Sequence, residues 1–157
     1  MKKNKKYWLI PIIVSIITFF ALTTGLLFYN PFLSPKMVKY YSNDSNFYQY
    51  KANIIQVSQK STGYINIDSI ECLSESSSQS LHKNINYCTA RIFSPNIELT
   101  WDELKPEIGM EIEFYGTFRV FYDGCPAAII QLSLNGNEIL SYNDGKEALV
   151  EWAKTVH

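Results

Sequence analysis

The 157 residues are 15% aromatic, with 11 Tyr and 9 Phe, and only 18% charged. Setting aside Lys2, Lys3, Lys5 and Lys6 leaves 10 basic against 15 acidic groups, a net of −5, with every acidic group beyond residue 40. A polyanion is held largely by Lys and Arg on its phosphates, which argues against DNA or RNA as a partner. The roughly 110 residues beyond the N-terminal region suffice for one modest core and not for two.

Residues 1–6 form a basic start, and residues 7–30 follow as an apolar run. The 23 residues from Tyr7 to Tyr29 carry no charge. As a helix they would reach about 35 Å, enough for a hydrocarbon core of roughly 30 Å. Tyr7, Trp8 and Tyr29 stand at the ends, where amphipathic rings prefer the interface. Pro11 falls in the first turn, and Asn30-Pro31 closes the segment. The expectation is a transmembrane anchor contacting membrane lipid. Four lysines before it, against Lys36 and Lys39 after it, place the N-terminus in the cytoplasm and the rest outside, at the cell membrane as a single-pass protein. The rival is a cleaved signal peptide releasing a soluble secreted domain. Such peptides have apolar regions of about 7–15 residues and a small-x-small site. Here the best site, Ala21-Leu22-Thr23, lies inside a longer run, and no Cys follows it to carry a lipid.

Residues 31–46 read as a stalk, opened by Pro31 and Pro35 and closed by a polar turn-forming cluster. The extracytoplasmic domain is then 47–157. Tyr48, Tyr50, Ala52 and Ile54 alternate as one strand face, and the phase flips at Ile55, which predicts a bulge or bend. A second strand starts at Gly63, with Ile65 and Ile67 on one face and a shift toward Ile70 and Cys72. The polar run Leu73 to Asn86, including the Ser-rich 74–80, reads as a loop. Tyr87 to Phe93 is a third strand, stopped by Pro95. Thr100 and Glu103 have capping-box spacing and predict a short helix ending near Pro106. Ile108, Met110, Ile112, Phe114, Phe118 and Val120 share one face of a fourth strand, bent at Gly116. Asp123-Gly124 is a turn, and Ala128, Ile130, Leu132 and Leu134 mark a returning strand. Asn135-Gly136 is another turn, before a short edge strand over 138–142. Asp144 and Glu147 cap a final helix whose stripe is Leu149, Trp152, Ala153 and Val156.

The fold class is thus mainly β with short helices (α+β). Five strands with a helix between the third and fourth is the layout of an OB-type barrel, and bent first and fourth strands suit closure of a small barrel. The alternative is a small, strongly curved open sheet with the C-terminal helix on one face. The stretch Glu107-Ile108-Gly109-Met110-Glu111-Ile112-Glu113-Phe114 and the ending from Asn135-Gly136 to Trp152 resemble a largely uncharacterised group of short extracytoplasmic OB-like proteins of Gram-positive bacteria. The resemblance spans roughly residues 47–155 and implies a fold and a location, not an activity. Met110 stands where that group commonly has an acidic residue, and the Ser-rich run is an insertion.

Chemistry is sparse. Cys72 and Cys88 bracket the polar loop and are the expected disulfide, with Cys125 left as a thiol in a turn. A closed loop of about 16 residues would contribute roughly 3 kcal/mol. The alternative is three unpaired cysteines. A Cys nucleophile needs a base to form thiolate, and His82 in the polar loop and His157 at the last residue are poorly placed for that. There is no Cys-x-x-Cys, no His pair and no Gly-rich phosphate loop, so no metal, cofactor or catalytic residue is assigned. Glu111 and Glu113 share a strand face and read as solvated; Asp102, Glu103 and Glu107 read as the polar side of the short helix. The OB binding face would hold Tyr64, Tyr87, Arg91 and Phe93, rings with an Arg that can stack on bases or sugars. The blander reading, surface and core filling in an aromatic-rich sheet, is preferred. The expected function is a non-enzymatic, membrane-tethered module that binds an envelope protein or another envelope component. The second hypothesis is an OB-type binder of oligosaccharide or single-stranded nucleic acid.

Overall fold

The computed structural model describes residues 14–16, 33–58, 60–74, 86–119 and 127–156. Six strands run in the order β1 (Tyr48–Val57), β2 (Tyr64–Cys72), β3 (Tyr87–Ile92), β4 (Glu111–Thr117), β5 (Ala127–Leu134) and β6 (Asn137–Leu140). Accompanying them are the helices α1 (Leu33–Tyr41), α2 (Ile97–Leu104) between β3 and β4, and α3 (Tyr142–Thr155) at the end. Strand β1 pairs antiparallel with β2 and β4, β2 with β3, and β4 with β5. A parallel pairing of β3 with β5, Ala90 opposite Ala127 and Ile92 opposite Ile129, closes the ring. The molecule is a mixed α+β protein built on a closed five-stranded barrel, and closure removes the open-sheet alternative. The hairpin through Asn135 and Gly136, both at positive φ, adds β6 to the outside of β5.

The bends needed for closure sit where the alternation breaks. Strand β1 changes register against β2 between Lys51 and Asn53 and again between Ile54 and Gln56, the second at the expected phase flip. Ser69, at φ 51°, takes up the extra residue on β2. On β4, Gly116 is required by proximity: a Cβ there would lie 2.4 Å from the carbonyl oxygen of Ala128 on β5. The barrel interior is filled by Tyr50, Ile54, Ile67, Ile112, Phe114, Ile129 and Leu132, and Trp101 and Leu104 of α2 pack against them.

Strand β5 departs from its expected single apolar face. Its pairing with β4 skips Ile130, a bulge that shifts the phase. Ala127, Ile129 and Leu132 point into the barrel, whereas Ala128 and Ile130 point outward into a second core beneath α1 and α3. Both sides of β5 are therefore covered, which explains four consecutive buried residues at 127–130. The second core also holds Met37, Tyr41, Phe47, Phe93, Leu149 and Ala153.

The expected stalk is instead mostly helix. Leu33, Met37, Tyr40 and Tyr41 recur at helical spacing, and Met37 and Tyr41 are fully buried. Pro35 lies in the first turn, where its missing N–H costs nothing, so it does not break α1. Burying a side chain such as Met37 contributes about 1.5–3 kcal/mol, which outweighs the weak propensity of a nine-residue helix. Two helix starts also differ from expectation. Asn96, not Thr100, caps α2, its Oδ1 accepting from the Leu99 N–H at 3.1 Å; Thr100 is buried inside the helix and shares a 2.8 Å hydrogen bond with the Ser94 hydroxyl. Ser141, not Asp144, caps α3: its Oγ accepts from the Asp144 N–H and donates to Asp144 Oδ2 at 2.6 Å, so Asp144 serves as the third residue of the box. The fourth strand is shorter than its alternation. Ile108, expected inside, is 74% exposed, because Gly109 at φ 88° turns the chain before β4 begins.

Of the expected anchor, only residues 14–16 are described, and they are helical. Among the described residues no helix is long and apolar enough to cross a membrane. The remainder of 7–30, the loop residues 75–85 with His82, the turn 123–124, Val120, Cys125 and His157 lie outside the described residues.

Candidate functional site: the two ends of the β2–β3 ladder

Strands β2 and β3 run antiparallel, with Tyr64 opposite Arg91 at one end and Asp68 opposite Tyr87 at the other. The four residues expected to form one binding face are therefore divided. Tyr64, Arg91 and Phe93 come together. Tyr87 does not: it lies four residues up the strand from Arg91, about 13 Å away, and is 57% exposed.

At the first end the Arg91 guanidinium carbon sits 4.8 Å from the centre of the Phe93 ring and 5.5 Å from that of Tyr64. A third ring completes the cluster: Trp152 of α3, 5.4 Å from the guanidinium and 5.1 Å from the Phe93 ring. Phe93 itself is only 4% exposed and belongs to the second core, so its ring faces are not offered to a ligand. A cation against an aromatic face gains about 0.5–1 kcal/mol when exposed and more when desolvated. Arg91 is half-buried, and the cluster fastens α3 to the β2–β3 edge. Trp152 was legible only as part of a helical stripe. Its partner Arg91 lies 61 positions earlier in the sequence and carries no local signal of the contact.

The helices meet at the same end. Ser34 Oγ in the first turn of α1 donates to the carbonyl oxygen of Ala153, next to Trp152, at 2.8 Å. The opposite ends of these two helices are also tied. Asp44, just after α1, accepts from Lys146 at 2.5 Å and from the Tyr142 hydroxyl at 2.7 Å in the first turns of α3. These bonds, Lys146 first, hold the Asp44 carboxyl below its usual range, while burial first, then Asp44, pushes the Tyr142 hydroxyl up. The two helices thus lie antiparallel, α3 on β5 and α1 against α3, with Tyr40 and Tyr41 also bonded to Thr117 and to the Arg119 carbonyl past the end of β4.

At the second end Tyr87 and Leu73 stand exposed on either side of the polar loop. The Ser74 hydroxyl accepts from the Gln49 N–H at 2.8 Å, and the Leu73 N–H donates to the Gln49 carbonyl, so the loop's first residues belong to the barrel. No bond joins Cys72 to Cys88. Cys88 is buried opposite Ile67, whereas Cys72 lies five residues farther along β2, beyond the Ser69 bulge, with its Sγ toward the Ser74 carbonyl at 3.8 Å. The two cysteines bracket the loop in sequence without being opposed in register.

Among the described residues the carboxylates show no converging geometry. Glu111 and Glu113 are exposed on the outer face of β4, and Glu111 pairs with Lys51 at 2.9 Å. Among the described residues no group of three His, Cys, Asp or Glu side chains could hold a metal ion. An open cleft of about 380 Å³ is lined by Glu107, Ile108, Met110 and Leu134, and a smaller one of about 150 Å³ lies between α2 and the start of α3. In the smaller one the bonded pair Ser141 and Asp144 forms the cap of α3. Comparison of the chain with protein-family models, with curated proteins and with solved structures returned no match.

Proposed function

We propose that this chain is a membrane-tethered, extracytoplasmic interaction module of OB type, non-enzymatic, that captures an envelope protein or another envelope component through the polar-loop end of its barrel. The closed five-stranded barrel with a helix between β3 and β4 supports the OB reading. The observation that carries the reading is the exposed pair Tyr87 and Leu73 at the base of the loop. They stand at the far end of the β2–β3 ladder from the point where α1 meets α3. An anchor in residues 7–30 would enter the domain at α1, which would leave Tyr87 on the side away from the membrane. Loops on a rigid barrel are well suited to recognition, and exposed Tyr supplies large contact area at low entropic cost.

The test is a photo-cross-linking amino acid placed at Tyr87 in the full-length protein in intact cells, with Leu99, also exposed but on α2, as the control position. A discrete adduct from position 87 that is absent from position 99, and absent when 75–85 is deleted, supports the reading. Absence of an adduct at 87, or equal labelling at both positions, overturns it.

A further inference from the structure

The aromatic end of the barrel remains to be given a role. The apolar, uncharged run closes at residue 30 and α1 begins at Leu33. Far from being a free stalk, α1 packs against α3, through the Ser34–Ala153 hydrogen bond and through Met37 and Tyr41 buried in the second core. The surface nearest the start of α1 is therefore set by the fold. That surface is the last turns of α3 with the adjoining ends of β2 and β3, where Trp152, Arg91 and Tyr64 cluster. Lys36, in the first half of α1, is exposed on the helix that leads there.

We infer that this end, formed by Tyr64, Arg91 and Trp152, rests on the lipid surface of the membrane that holds residues 7–30. The inference rests on the membrane-tether reading above. The side-chain chemistry fits the occupant. Trp and Tyr partition to the headgroup level, where one part of the ring meets hydrocarbon and another meets water. Arg presents a planar donor set matched to phosphate, and its weak hydration lowers the cost of entering the interface. Basic groups next to a spanning segment are drawn to anionic headgroups. The tether supplies the proximity, so the surface needs only weak intrinsic affinity to stay engaged. Docking would fix the barrel with the β2–β3 ladder leading away from the bilayer and would hold Tyr87 outward.

The full-length chain is reconstituted in vesicles of phosphatidylcholine and phosphatidylglycerol in equal parts, with Trp8 replaced by Phe to remove the indole of the apolar run. Flotation is scored first. Emission is then compared between ordinary lipid and lipid brominated near the headgroup, for this protein and for the same protein carrying Trp152→Phe. Trp101, buried under the barrel, supplies the constant background. The expected result is quenching of at least half of the Trp152 contribution, reduced by Arg91→Gln, which retains most of the stem but removes the charge. A chain that floats with the vesicles but shows Trp152 unquenched by brominated lipid, and as open to aqueous acrylamide as in detergent, overturns the docking and leaves the tether standing. A correctly folded chain that fails to float overturns the tether reading, and the docking with it.

Discussion

Replacing Gly145 by Ala tests how closely α3 lies on the barrel. Gly145 is buried in the second turn of α3, and a Cβ built there would sit 1.9 Å from the Ile130 carbonyl oxygen and 2.6 Å from its carbonyl carbon. An ordinary carbon–oxygen contact is about 3.3 Å, so the helix would have to rise by roughly 1.4 Å. Both sides of this clash are backbone, and no rotamer change relieves it. The β5 side is the bulge at Ile130, whose side chain is itself fully buried under α3. In a solvent-exposed helix interior the same substitution would stabilise by about 1 kcal/mol. Here overpacking costs about 1–3 kcal/mol, and more where backbone must move. Lifting α3 also loosens the contacts of Leu149 and Ala153, because gaps of about 0.5–1 Å forfeit a quarter to a half of each dispersion well. The net expectation is a loss of about 2 kcal/mol or more, lowering Tm by about 6–10 °C. Thermal unfolding followed by circular dichroism measures it, with Glu147→Ala on the exposed face of α3 as a control expected to fall within about 0.5 kcal/mol of the parent. A Gly145→Ala protein with unchanged or raised Tm would refute the close approach, and with it the account of why β5 is buried on both faces.

Met37→Ala distinguishes a packed α1 from a stalk: removing this fully buried side chain should cost about 2–5 kcal/mol in urea unfolding, whereas a stalk residue would leave the midpoint unmoved. Asp44→Asn should weaken the tie between the end of α1 and α3 in a pH-dependent way. The folded carboxyl is held below its usual value, so its contribution is fully present above the ordinary carboxylate pKa of about 3.9 and is lost as pH falls through the depressed folded value. Tm of the parent should exceed that of the Asn variant at neutral pH and converge with it in strong acid; a constant difference across the series would refute the linkage.

The barrel was legible in the sequence because its strands are half-covered. Ile65 and Ile67, or Ile112 and Phe114, alternate cleanly, and the phase flip near Ile55 announces the register change that the structure shows. Where a strand is covered on both faces the rule loses its contrast. Ala127 to Ile130 are all buried, and nothing in that run reveals which face meets the barrel interior and which meets α3. Alternation also overshoots its strand, as at Ile108, because a positive-φ glycine can end the strand without disturbing the spacing of apolar residues. The helix caps failed for a related reason: Thr100 and Asp144 have the right residue type, but Asn96 and Ser141 stand earlier in the chain with an equally good side chain.

The candidate site was half legible for a deeper reason. Tyr64 and Arg91 could be matched from strand pairing alone, since register is a local property of adjacent strands. Trp152 reaches Arg91 because α3 lies on β5 through Gly145, Leu149 and Ala153 and is tied at both ends, by Asp44 to Lys146 and by Ser34 to Ala153. Both pins depend on α1, the element that its prolines and polar neighbours disguised as a stalk. One misread segment thus hid the second core and the third ring around Arg91. If α1 is melted by helix-breaking substitution, the Ser34 and Asp44 ties and the Arg91–Trp152 contact should weaken together, which Trp152 emission would report.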